Sequence, residues 1–123
     1  MLLDTSAWIE FFIKSEEGKK VNKLLESDSC FTVMTSIAEI YNWAWKENRY
    51  PEKLIGYVKS LTQLIDLTEN IASRAGELNF QRKKIEKNWG MLDSFILAVA
   101  QIYNLKILTK DRHFKDLPNV ELL

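Results

Sequence analysis

The sequence predicts an α/β fold, with helices on both faces of a four- or five-stranded, largely parallel sheet. Short apolar runs alternate with longer amphipathic stretches, as in strands joined by crossover helices. The chain has 123 residues, 46% of them hydrophobic, and shows no repeat, low-complexity segment or Pro/Gly-rich linker. That is enough apolar material for one core, and it places a single domain over residues 1–123.

Each element has a local cause. Met1 to Leu3 begins a strand that stops at Asp4, and a helix follows through Trp8, Ile9, Phe11, Phe12 and Ile13. Ser15, followed by Glu16 and Glu17, reads as the capped start of a second helix burying Val21, Leu24 and Leu25. Cys30 to Met34, rich in aromatic and β-branched side chains, is the second strand. Thr35 and Ser36 open a helix to about Asn48. Pro51 suits the first turn of the next, whose Leu54, Ile55, Val58 and Leu61 share a face. Leu64 to Leu67 is a weak third strand, and Thr68 caps a long helix reaching the basic stretch QRKKIEK. After Gly90, Leu92, Phe95, Ile96, Val99, Ala100 and Tyr103 form one helical stripe. Lys106 to Thr109 is the fourth strand, and Val120 to Leu123 a short fifth.

The totals exclude several classes. Seventeen basic and seventeen acidic residues cancel, so any nucleic-acid footprint must be a local patch. One cysteine, Cys30, rules out an internal disulfide and a cysteine zinc site, and one histidine leaves little for a His-rich centre. Cys30 is expected to be a small buried hydrophobe. The longest unbroken apolar run, Phe95 to Ala100, cannot span a bilayer, and Asp4 interrupts any secretory signal. The expectation is a cytoplasmic protein with no membrane partner.

Four acids stand at the ends of elements: Asp4 in LLDTSAW, Glu39 in MTSIAEI, Asp93 in GMLDSFI and Asp111 in LTKDRHF. Singly, each has a structural explanation. Asp4 and Asp111 can cap helices, Ser36 to Glu39 matches a capping box, and Asp93 complements a helix dipole. Together they have another. Ligands of open parallel sheets gather outside the carboxyl ends of the strands, where three of these acids fall and Asp93 can join them. A cluster of repelling carboxylates without an internal base is a natural site for Mg2+ or Mn2+. Such an ion activates water and stabilises a leaving oxygen, which is chemistry suited to a phosphodiester.

The opening LLDTSAWIEFF, the segment TSIAEIYNWAW and the run LDSFILAVAQIYNLKILTKDRHF resemble a PIN-domain ribonuclease, most like the toxin of VapBC-type toxin–antitoxin pairs. The resemblance spans nearly the whole chain. It implies a three-layer α/β/α fold and Mg2+- or Mn2+-dependent cleavage of RNA. It makes Asp4, Glu39, Asp93 and Asp111 the cluster that holds metal and activates water. Ser6 and Thr109 become hydroxyls that support the cluster or contact phosphate, and Thr109, Asp111 and Phe114 match the family's Thr-x-Asp-x-x-Phe pattern. It also implies a homodimer and a groove for an antitoxin segment. One departure is Leu97, which stands where the family often has alanine. His113 matches no family role and is expected to be a surface or boundary imidazole.

Lys110 and Arg112 flank Asp111 and are placed to meet phosphate. Arg82, Lys83, Lys84 and Lys87, with Trp89 beyond, are read as a solvated helix end, with RNA steering as the alternative. Tyr41, Trp43, Trp45, Tyr50 and Tyr57 make the stretch from Thr35 to Leu61 rich in aromatic residues, suited to core or interface. Two other functions compete. A phosphatase-like hydrolase using Asp4 as nucleophile usually carries a second aspartate two residues on, where this chain has Ser6. RNA processing, or a non-catalytic RNA- or protein-binding module, is possible on the same fold, although all four acids are present.

Overall fold

The computed structural model describes residues 1–123. Its five strands are β1 (Leu2–Leu3), β2 (Phe31–Val33), β3 (Gln63–Ile65), β4 (Ile107–Thr109) and β5 (Val120–Leu122). They lie in the order β3-β2-β1-β4-β5, and every pairing is parallel. Six helices flank them: α1 (Thr5–Ile13), α2 (Glu16–Ser27), α3 (Met34–Lys46), α4 (Pro51–Leu61), α5 (Glu69–Arg82) and α6 (Met91–Tyr103). The three-layer α/β/α architecture is thus present, with five strands. No helix is long and apolar enough to cross a membrane.

The pleat sorts neighbouring residues to opposite faces. Leu2 and Ile107 point into a core built with α5 and α6, and Leu3 and Leu108 into one built with α1 to α4. Both faces of the central strands are therefore covered, as parallel sheets require. On the first face Trp89 packs against Phe114; on the second Trp8 donates from Nε1 to the Thr32 hydroxyl at 3.0 Å. Cys30 is a buried free thiol, as expected.

Most helix starts follow their sequence signals. Ser15 accepts from the Gly18 amide, Thr68 from the Ile71 amide, and Pro51 opens α4. Three expectations need correction. Helix α3 begins at Met34, straight from β2, and its cap residue Val33 offers no side-chain bond. Ser36 is therefore already inside the helix, its hydroxyl buried without a partner, and the Ser36–Glu39 capping box does not form. In α6 the buried set is Ser94 and the continuous run Ile96 to Ala100, while Leu92 and Tyr103 at the stripe's ends are exposed. The helix packs against α5 as well as against β2 and β4, so its middle is covered on more than one side. Finally, Arg82 is no solvated cation. It is buried, donates to both carboxylate oxygens of Asp116 at 2.7 and 2.9 Å, and lies over the Trp89 ring.

Candidate active site

Strand order changes direction between β1 and β4, and the crevice at such a switch point is where open α/β sheets bind ligands. Asp4 ends β1 there. Its Oδ1 accepts from the Thr5 amide at 2.8 Å, so it does cap α1. Its Oδ2 accepts from the hydroxyls of Thr109 at 2.8 Å and Ser6 at 3.3 Å. Ser6 and Thr109 are themselves 3.1 Å apart. Their oxygens also accept from the backbone: Ser6 from the Lys110 amide, and Thr109 from the Asp111 amide at 3.0 Å. Thr109 is fully buried, so its hydroxyl serves Asp4 and the loop after β4.

Glu39 comes in from α3. Its Oε1 accepts a 2.6 Å hydrogen bond from Thr5 Oγ1, across 34 positions. Asp93 caps α6 by accepting from the Gly90 amide at 2.9 Å. Asp111 accepts from the His113 amide at the start of the single 3₁₀ turn Arg112–Phe114, and Nδ1 of His113 stands 3.2 Å from the same carboxylate. The capping explanation holds for Asp4 and Asp111, and Asp93 stands in the first turn of α6 as the dipole reading has it, with a capping bond to the Gly90 amide besides.

These groups feel one another. Burial pushes the Asp4 carboxyl up to about 6; the hydrogen bonds from Thr109 and Thr5 oppose the shift, and the charges of Glu39 and Asp93 add to it. Burial likewise raises Glu39, against the Thr5 hydroxyl, with Asp93 adding to the rise. Asp93 is raised by burial and by Asp111, against the Gly90 amide and the neighbouring His113 and Lys83. The four acids are thus electrostatic neighbours along one edge. No three of them approach closely enough to form a closed ligand cage. That arrangement fits an ion such as Mg2+, which keeps several waters and is held by one or two carboxylates plus substrate phosphates. Asp4, Glu39 and Asp93 have no ion-pair partner of their own, so the edge carries uncompensated negative charge.

Lys110 is less free than its position in the sequence implied. Its Nζ is 3.1 Å from the buried Glu10, which raises its pKa. Arg112 is exposed. Two residues that sequence reasoning missed are Thr5 and Glu10. Thr5 was readable only as part of DTS, and nothing local marked Glu10 as the partner of a lysine 100 positions on.

Two cavities open on the surface, one of them at the acid edge. One of about 470 Å3 opens beside Thr5 and Glu39. A larger groove of about 1000 Å3 runs over α1, α2 and α4, with Phe11, Tyr50 and Tyr57 among Lys14, Lys23 and Lys53.

A family model described as "PIN domain" matches residues 1–120. Among solved structures, a toxin–antitoxin complex from Klebsiella pneumoniae superposes with a TM-score of 0.77 at 24% identity, covering 98% of this chain and 94% of that one. The sarcin–ricin-loop-cleaving toxin VapC20 of Mycobacterium tuberculosis gives 0.79 at 15% identity, covering 98% and 97%. VapBC2 of Rickettsia felis, bound to a DNA fragment from its promoter, gives 0.75 at 19%, covering 99% and 96%. No curated protein matches the chain in sequence.

Proposed function

The chain belongs to the PIN domain family, and from that premise we propose that it is a Mg2+- or Mn2+-dependent endoribonuclease, the toxin of a toxin–antitoxin pair. The observation that carries this reading is the uncompensated carboxylate edge formed by Asp4, Glu39 and Asp93, with Asp111 beside Asp93. Asp4, Glu39, Asp93 and Asp111 would hold the ion, directly or through water. When bound, it would make water a nucleophile at neutral pH and stabilise charge on the phosphodiester.

The chain's own groups have distinct tasks. Thr109 from β4 and Ser6 from the first turn of α1 fix the Asp4 carboxylate, and Thr5, beside Ser6 on α1, fixes Glu39. Both acids are thereby set before a ligand arrives, which reduces the ordering cost of binding. Arg112 meets the RNA backbone, and Lys110 does so from its contact with Glu10.

An antitoxin partner is supported by the Klebsiella and Rickettsia complexes, and its segment would lie in the aromatic groove over α1, α2 and α4. A homodimer would cover exposed apolar groups such as Trp45 of α3, at 71% exposure. The deciding experiment is cleavage of structured RNA by the purified protein with Mg2+ or Mn2+. Asp4→Asn and Asp93→Asn should each abolish it, and full activity in the folded double variant would overturn the site.

A further inference from the structure

We propose that the cavity of about 470 Å3 beside Glu39 is a nucleobase subsite, which selects the nucleotide next to the cleaved bond. The inference rests on the RNA-cleaving reading above. On α3, Glu39, Asn42, Trp43 and Lys46 fall at spacings of three, four and seven, so they share one face that leads away from the acids. All four line this cavity, which places its mouth at the carboxylate edge.

Their chemistry divides the work. Ile9 of α1 and Leu92, just before Asp93, supply apolar walls opposite α3. Trp43 is fixed in place by stacking on Phe12, 6.2 Å between centroids, and by the Arg49 guanidinium 5.0 Å from its ring. Asn42 and Lys46 are exposed, and neither is tied to another side chain. An amide offers both a donor and an acceptor, the combination that reads the polar edge of an unpaired base. Lys46, at the far end from Glu39, is the cavity's one cation and suits the phosphate on the other side of that base. A flat, neutral ring with an anion beyond it matches this sequence of walls, amide and ammonium. The volume lies within the roughly 300–1,000 Å3 of ordinary small-ligand pockets.

The test combines two readouts. On random-sequence RNA, Asn42→Ala should flatten the preference at one nucleotide beside the cleavage point, and Asn42→Gln should restore part of it. Lys46→Ala should lower kcat/KM without changing that preference. Unaltered preference in Asn42→Ala, with cleavage intact, would overturn the subsite and leave the nuclease reading standing. If the protein cleaves no RNA, binding decides instead. Non-cleavable 2′-O-methyl RNA hexamers are titrated against the Trp45→Phe protein, whose other tryptophans besides Trp43 are fully buried. Saturable quenching that weakens about tenfold in Asn42→Ala, the size of effect expected for one base-edge contact, and that also weakens in Lys46→Ala, for the lost phosphate contact, supports the subsite. No response to any hexamer overturns it and assigns the cavity to a protein partner.

Discussion

The Thr109 hydroxyl donates a 2.8 Å hydrogen bond to Oδ2 of Asp4, tying the ends of two neighbouring parallel strands across 105 positions of sequence. The same oxygen accepts from the Asp111 amide. Thr109→Val keeps the shape and removes both bonds. It should cost about 1–3 kcal/mol, the range for a buried polar group left unpaired. It should also push the Asp4 pKa further above about 6, since Thr109 holds it down, and so reduce cleavage at pH 7. Thr109→Ser should retain most of both. Denaturant melts and cleavage rates at several pH values check this.

Asp4 binds its proton more tightly in the folded protein than in the unfolded chain. Its favourable contribution is therefore complete below its ordinary value of 3.8, and it is lost as pH rises from there through about 6. The difference is about 3 kcal/mol in the metal-free protein. In metal-free buffer, the melting temperature of Asp4→Asn relative to the native protein should climb between pH 4 and pH 7.5. A flat difference would contradict the assigned shift.

A divalent cation should act in the opposite sense, because it binds the ionised acids. Mg2+ or Mn2+ should raise the native melting temperature more at pH 7.5 than at pH 5, and removing it with a chelator should reverse the gain. Asp4→Asn and Asp93→Asn should each blunt the effect. Calorimetry would also detect protons released as the ion binds near pH 6.

Arg82 offers a test of the basic run. Arg82→Gln should lower stability by about 2 kcal/mol, less than for a fully buried pair because the Asp116 side chain is 49% exposed. Asp116→Asn should also destabilise, because it leaves the buried guanidinium without its charge partner. Neither change should alter affinity for RNA by more than the loss of folded protein explains. Filter binding beside thermal melts separates the two effects.

Gly18 sits where α2 meets the end of α1. A Cβ there would lie 2.1 Å from the Glu10 carbonyl oxygen and 2.7 Å from its carbon, both backbone atoms. Gly18→Ala must push the two helices apart, at a cost of about 1–3 kcal/mol or more. Gly56 and Gly76 lie in helices with open space around them. Alanine at either should stabilise by about 0.5–1 kcal/mol, which makes them internal controls for the same melts.

The fold was legible because apolar runs and caps are local signals. Leu2 and Leu3 before Asp4, Ser15 before two glutamates, and Pro51 opening α4 each carry their meaning within a few residues. Three of the acids could be placed at one edge because alternating elements predict parallel strands, whose carboxyl ends share an edge, and Asp93 joins them from the start of α6. What could not be read were contacts settled at long range. Ser36 to Glu39 has the spacing of a capping box, but β2 runs directly into α3 at Met34, and Thr5 takes Glu39 from 34 positions away. Arg82 looks like its neighbours Lys83 and Lys84 until Asp116 folds back against it. The α6 stripe failed in a different way, since periodicity assumes one buried face and this helix is covered on more than one.

The central strand also bears on when the acid edge is assembled. Leu2 and Leu3 pair with Ile107 and Leu108, so the middle of the sheet joins segments separated by most of the chain. Closing so long a loop is slow compared with local helix formation. Asp4 cannot meet the Thr109 hydroxyl until the segment around β4 has been made and paired with β1. A chain without β4 therefore lacks the hydroxyl that holds Asp4 in place. The topology itself makes assembly of the acid edge wait for the segment around β4.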